Sequence, residues 1–390
     1  MGRTLALVLS GGGARGAFEA GVLSWLAEHR PEFFQQVRIV TSSSVGALNA
    51  SYLLAHGMKP ESVEGLVQQW CAMTVNQIME ITTAGLTRST FGRLFGRRKS
   101  NPPKKPEGIF STVEASNFVK DFVDWSLVEK NIRAGVLDAF AVAATEIRTG
   151  RTHVFTDIAD DRPTPQWPND KSMDGIRGPI TPHVVLASTA LPFLFPPVNI
   201  GDSWYCDGGL RQNTPLSPAL RLGAEKILAI SLKTTDQVDV PTGSFPGYGH
   251  LLGKLFNSLF LDRMMWDMDR LSRINSMLEC VEEVYGQDAI PSLQRALVDR
   301  GRRPYAVVDY LGIRPSGDMG NLAARMLRNP ERLKSDLGYV MSRVFNGERE
   351  SVADLASYLL FDGTFAAELI AMGRRDAAAR SEEIDRLLAA

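Results

Sequence analysis

Cysteine is scarce in this chain: Cys71, Cys206 and Cys280 are the only three in 390 residues, far apart and odd in number. They offer neither a metal-ligand spacing nor a disulfide framework, and they fit a reducing compartment. An excess of one charge is missing too. With 43 basic and 44 acidic residues the formal net charge is −1. No global field therefore draws in nucleic acid, and any basic surface must be local. Long apolar runs are also absent. The stretch from Met1 to Leu9 breaks off at Ser10-Gly11-Gly12-Gly13, too short and without the cleavage site of a signal peptide. Nothing reaches the roughly 20 apolar residues that span a bilayer. The expectation is a cytoplasmic protein that meets any membrane from the aqueous side, peripherally. Oligomeric state is not legible in the sequence.

What is present reads as globular: 44% hydrophobic and 22% charged residues. The chain is long enough for one large α/β domain with helical additions. Thr4 to Leu9 is a short apolar run, predicted as a buried strand, followed by a glycine run and a helix from Ala17 to Glu28. The unit repeats. Val37 to Val40 predicts a second strand, Ser42 to Gly46 a tight turn, and Ala47 to Ala55 a helix. Further strands are predicted at Phe140 to Thr145, Val184 to Ala187, Lys226 to Leu232 and Tyr305 to Ile313, with 157–180 as a loop. Strands alternating with helices imply an α/β fold with a mainly parallel central sheet covered on both faces. From Ser316 the pattern is helical, with capping-box character at Ser351 and Gly363 and Gly373 as helix ends. The division expected is an α/β catalytic domain over 1–315, with a basic insertion at about 88–109, and a helical cap over 316–390 packed on it.

Three motifs could carry chemistry. Gly11, Gly13 and Gly16 satisfy the GxGxxG pattern between a strand and a helix. A dinucleotide site also needs an acidic residue after the next strand, where this chain has Thr41 and three serines. A Walker loop needs Lys after its last glycine, where this chain has Ala17. A plain turn fits the motif; so does an oxyanion hole, because glycines let backbone N–H groups approach a developing alkoxide. In Ser42-Ser43-Ser44-Val45-Gly46, Ser44 can be a nucleophile on a strand-to-helix elbow, whose crowded turn needs small neighbours at Ser42 and Gly46. The same serines could merely cap the following helix. Asp207-Gly208-Gly209 reads as an ordinary turn, or as a carboxylate at a strand end that becomes a useful base if desolvated and bonded to a serine hydroxyl.

In this order the three motifs resemble the patatin-like phospholipases, as do Asn213-Thr214-Pro215 and the connecting stretch from Ala187-Ser188-Thr189-Ala190-Leu191-Pro192 to Phe195-Pro196-Pro197-Val198. The likeness runs over about residues 4–232. It implies a patatin-like, α/β-hydrolase-related sheet and a Ser–Asp dyad: Ser44 as nucleophile, Asp207 as base. Gly11, Gly12 and Gly13 would form the oxyanion loop, with Arg15 beside it, and no metal or other cofactor would be needed. The substrate implied is the fatty-acyl ester of a phospholipid or related lipid, cleaved through an acyl-enzyme. The departure is Ser42, where the family's elbow has glycine.

Other readings stay open. A general carboxylesterase or lysophospholipase on single-chain esters fits the same residues. So would a silent lipid-binding protein, or a dinucleotide-binding one. Of the histidines (His29, His56, His153, His183, His250), only His250 follows Asp207, as a triad in the chain order Ser, acid, His would need. The segment 88–109 sets Phe91, Leu94 and Phe95 at i, i+3, i+4 among Arg93, Arg97 and Arg98, which suits either an anionic membrane surface or a solvated loop. The stripe Leu255, Phe256, Leu259, Phe260, Met264 reads as core.

Overall fold

A computed structural model describes residues 3–78, 112–159, 172–192, 194–234, 264–301, 304–328 and 353–389. The basic segment with Phe91, Arg93, Leu94, Phe95, Arg97 and Arg98 lies outside these residues, as do His250, Leu255 to Phe260 and Ser351.

Among the described residues, a nine-stranded sheet organises the fold. The strands are β1 (Leu5–Leu9), β2 (Val37–Ser43), β3 (Ala139–Glu146), β4 (Thr152–Ile158), β5 (Met173–Arg177), β6 (Val198–Ile200), β7 (Ser203–Asp207), β8 (Lys226–Ile230) and β9 (Asp309–Ile313). The order across the sheet is β5-β4-β3-β2-β1-β8-β9. From β3 to β9 this path is parallel, while β4 runs antiparallel to β3. Much of its centre is apolar: Leu5, Leu7, Leu9, Phe140 and Leu228 are buried. That is what a sheet covered by helices on both faces requires.

β7 is the exception that makes the site. It pairs antiparallel with β3, setting Asp207 opposite Ala144, while β2 ends at Ser43 opposite Ala143 on the same strand. Where β2 leaves the sheet, β7 takes over its partner.

Helices cover the faces. The helix Ala17–His29 follows β1, and the helix Val45–Ala55 follows β2. The tail contains the helices Met319–Leu327, Ala353–Leu359, Gly363–Ala379 and Ser381–Ala389. Phe365 and Leu369 of the tail lie in the same core cluster as Phe18 and Val22 of the first helix.

Three expectations need correction. Val184 to Ala187 lies in a helix, Pro182–Thr189, not a strand. Thr181 caps its start by accepting from the Val184 N–H, and Pro182 sits in its first turn, so local capping overrides the β preference of Val184 and Val185. The loop expected over 157–180 instead holds the end of β4 and all of β5. Gly363 begins a helix, after the N-cap Asp362, and Gly373 lies inside it. A Cβ on Gly373 would stand 2.3 Å from the Phe18 carbonyl oxygen and 3.1 Å from the Cα of Gly21. This glycine marks a close helix crossing rather than a helix end.

Candidate active site

Ser44 sits at the tip of the β2-to-helix turn with φ 51° and ψ −126°. Positive φ is costly for a residue with a side chain, on the order of 1–3 kcal/mol, and persists only where the surroundings enforce it. Here they do. The Ser44 N–H donates to Ser188 Oγ at 2.8 Å, and Ser188 Oγ donates to the Ala143 carbonyl at 2.6 Å. Two residues on, a Cβ at Gly46 would lie 2.7 Å from both the Leu9 and Ser10 carbonyl oxygens, so the helix can start against the end of β1 only with glycine there. Ser42, by contrast, is accommodated: it is buried in β2 and its hydroxyl donates to the Ala141 carbonyl at 3.2 Å.

Ser44 Oγ donates to Asp207 Oδ2 at 2.6 Å. Asp207 is fully buried. Its other oxygen, Oδ1, accepts the Gly209 N–H at 2.7 Å. The backbone is fixed from both sides, by Asp207 N–H donating to the Ala190 carbonyl and Thr145 Oγ1 donating to the Asp207 carbonyl, each at 2.9 Å. A Cβ on Gly208 would meet the Ala143 carbonyl oxygen at 2.1 Å, so the turn after the carboxylate must also be glycine. Burial raises the Asp207 carboxyl from 3.8 to about 7, against the lowering effect of the hydrogen bonds from Ser44 and Gly209. A carboxyl so raised is a competent proton acceptor near neutral pH.

The glycine loop divides its tasks. The Gly11 N–H is committed to the Asn213 carbonyl at 2.9 Å. The Arg15 guanidinium turns away: Nε donates to Ser357 Oγ at 2.8 Å, and its Cζ stacks 4.0 Å from the centroid of the Tyr358 ring. Among the four residues expected at the oxyanion loop, Gly12 and Gly13 are the two whose N–H groups stay uncommitted among the described residues. Gly13, with φ 56°, opens the short helical turn Gly13–Gly16, so its N–H points out of that turn's start.

Sequence reasoning passed over several supports of the site. Ser188 and Asn213 stood in the stretches that carry the family likeness, but nothing in the chain spacing shows that one locks the Ser44 amide and the other anchors the loop. Asn213 Oδ1 is buried and has no hydrogen-bond partner among the described residues. Among the described residues no histidine hydrogen-bonds to Ser44 or Asp207. His153 instead pairs with Tyr205 Oη at 2.9 Å.

A serine on a strained strand-to-helix elbow thus stands beside a buried carboxyl and a glycine loop. The family follows: a profile described as patatin-like phospholipase matches residues 7–220, more than half the chain, and the chain belongs to that family, whose members hydrolyse lipid esters. Among solved structures the chain is similar to VipD from Legionella pneumophila, with 13% identity and a TM-score of 0.37 over 95% of this chain and 67% of that one. No curated protein sequence matches.

Proposed function

We propose that the protein hydrolyses fatty-acyl esters of phospholipids or related lipids through a Ser44–Asp207 dyad. The observation that carries this reading is the 2.6 Å hydrogen bond from Ser44 Oγ to a buried carboxyl whose burial makes it basic. Asp207 Oδ2 takes the hydroxyl proton as Oγ bonds to the ester carbonyl carbon. The carbonyl oxygen becomes an alkoxide and is met by the Gly12 and Gly13 N–H groups; one such donor is typically worth about 10²–10³ in turnover. As the tetrahedral intermediate collapses, Asp207 returns the proton to the leaving alcohol. Water then attacks the acyl-enzyme with Asp207 again as base, releasing the fatty acid and restoring Ser44.

The lipid assignment rests on the family, and the soluble single-chain ester remains the competing substrate. Wild type and Ser44→Ala, each assayed on phospholipid vesicles and on a medium-chain p-nitrophenyl ester, separate the two. Fatty-acid release from vesicles by wild type alone supports the lipase. Turnover confined to the p-nitrophenyl ester makes the protein a general esterase. Equal turnover by both proteins removes Ser44 as nucleophile.

A further inference from the structure

Among the buried acids that the proposed reaction leaves unused, one lies beside the glycine loop. Glu19, in the first turn of the helix Ala17–His29, is fully buried. Its Oε1 accepts the N–H of Ser10, the residue before the glycine loop, at 2.8 Å. Its Oε2 accepts Asn49 Nδ2, also at 2.8 Å. Asn49 stands five positions after Ser44 on the elbow helix Val45–Ala55. The same Asn49 Nδ2 reaches the Gly16 carbonyl at 3.1 Å, and Asn49 Oδ1 accepts the Trp70 indole N–H at 3.0 Å.

Glu19 therefore holds the start of the glycine loop with one oxygen and the elbow helix with the other. Around this bridge the two parts touch closely: a Cβ on Gly16 would stand 2.6 Å from Val45 Cγ2. An oxyanion hole works by placing its donors at the spot where charge develops beside the nucleophile, and misplacement on the order of 1 Å can cost roughly 10² in rate. Burying a carboxyl costs stability unless something compensates, and here burial pushes Glu19 up to about 8. A stability role alone would be served as well by apolar packing.

We propose that Glu19 and Asn49 are positioning residues: without touching substrate or reacting atoms, this pair fixes the spacing between the oxyanion loop and Ser44. The inference rests on the Ser44–Asp207 reading above.

The hydrogen-bond pattern dictates the test. Glu19→Gln has the same shape, but with its carbonyl on Ser10 its NH2 must face the NH2 of Asn49. Rotating Asn49 would instead set an NH2 against the Trp70 N–H and an oxygen against the Gly16 carbonyl. Adding Asn49→Asp restores complementarity: the new amide NH2 at position 19 donates to one oxygen of the new carboxylate at position 49, and the Trp70 N–H finds the other. Only the Gly16 carbonyl is left without its donor.

The measurement, made at pH 9 where Glu19 is ionised and both its oxygens accept, is kcat and KM on a p-nitrophenyl ester for wild type, E19Q, N49D, the double variant and Ser44→Ala, with melting curves for each. The expected result is about a 10²-fold fall in kcat for each single variant, with KM changed less than about threefold, and a double variant within about tenfold of wild type. Folded E19Q with wild-type kcat, or a double variant whose loss equals the product of the two single losses, overturns the proposal. Should a single variant fail to fold, Trp70→Phe keeps an aromatic ring in the core and removes the donor that orients Asn49, the cavity left by the smaller ring being read separately from the melting curve. A several-fold fall in kcat at constant KM is expected of it, and unchanged kcat contradicts the bridge. An active Ser44→Ala would instead overturn the dyad itself.

Discussion

Ser44 and Asp207 hydrogen-bond although their strands do not pair with each other. Both are positioned by a third, β3: β2 ends opposite Ala143, and β7 ends opposite Ala144. The one-residue step along β3 brings a strand-end serine and a strand-end carboxylate, 163 positions apart, to 2.6 Å. The site thus depends on sheet register more than on any loop.

The pH dependence follows from the burial of Asp207. In the proposed reaction its ionised form accepts the serine proton, and its carboxyl is raised to about 7. We expect kcat/KM to rise roughly tenfold per pH unit below 7 and to flatten above it. A pH–rate profile from 5 to 9 checks this; a profile flat down to pH 5 would place the base elsewhere.

The same burial affects stability. Because Asp207 binds its proton more tightly folded than unfolded, its stabilising contribution is complete below about pH 4 and is lost as pH rises through 7. Asp207→Asn removes that loss while keeping an acceptor for Gly209 and a donor for Ser44. We expect it to melt several degrees above wild type at pH 8, and the advantage to vanish near pH 4. Melting curves at the two pH values measure it.

Ser188→Ala removes the acceptor for the Ser44 N–H and the donor to Ala143 at once. With a buried amide unpaired and the elbow unsupported, a loss of about 1–3 kcal/mol is expected, together with kcat falling about tenfold or more. Denaturant unfolding and initial rates report the two effects separately.

Arg15 ties the glycine loop to the tail helix Ala353–Leu359 through Ser357 and the Tyr358 ring. Arg15→Lys keeps the charge but loses the planar stacking and the Nε–H bond. Lower thermal stability is expected, with activity falling less than in Ser44→Ala. A variant that melts like wild type would show that the tail does not brace the loop.

Much of this was legible beforehand because the motifs carry their own geometric demands. β1, the two following helices and β8 lie within a residue or two of where apolar runs and glycines put them, while β2 starts at Val37 as expected but runs three residues further, to Ser43. Gly46 could be read as obligatory from crowding in an elbow alone. What escaped depends on contacts distant in sequence. The helix Pro182–Thr189 looked like a strand because Val184 and Val185 speak for β structure while the cap at Thr181 acts only locally. Gly373 looked like a helix end because the Phe18 and Gly21 backbones it admits lie some 350 positions away. Arg15 looked like part of the oxyanion loop because sequence gives its place in the chain but not the direction of its side chain. The Gly11 N–H was likewise taken by Asn213, 202 positions further on.

The central claim is that Asp207 alone serves Ser44 as base. It is tested most directly by kcat of Asp207→Asn on a p-nitrophenyl ester at pH 8, where the variant is expected to be folded. A fall of at least about 10³ is predicted, comparable with that of Ser44→Ala. Retention of a tenth or more of wild-type turnover would contradict the dyad.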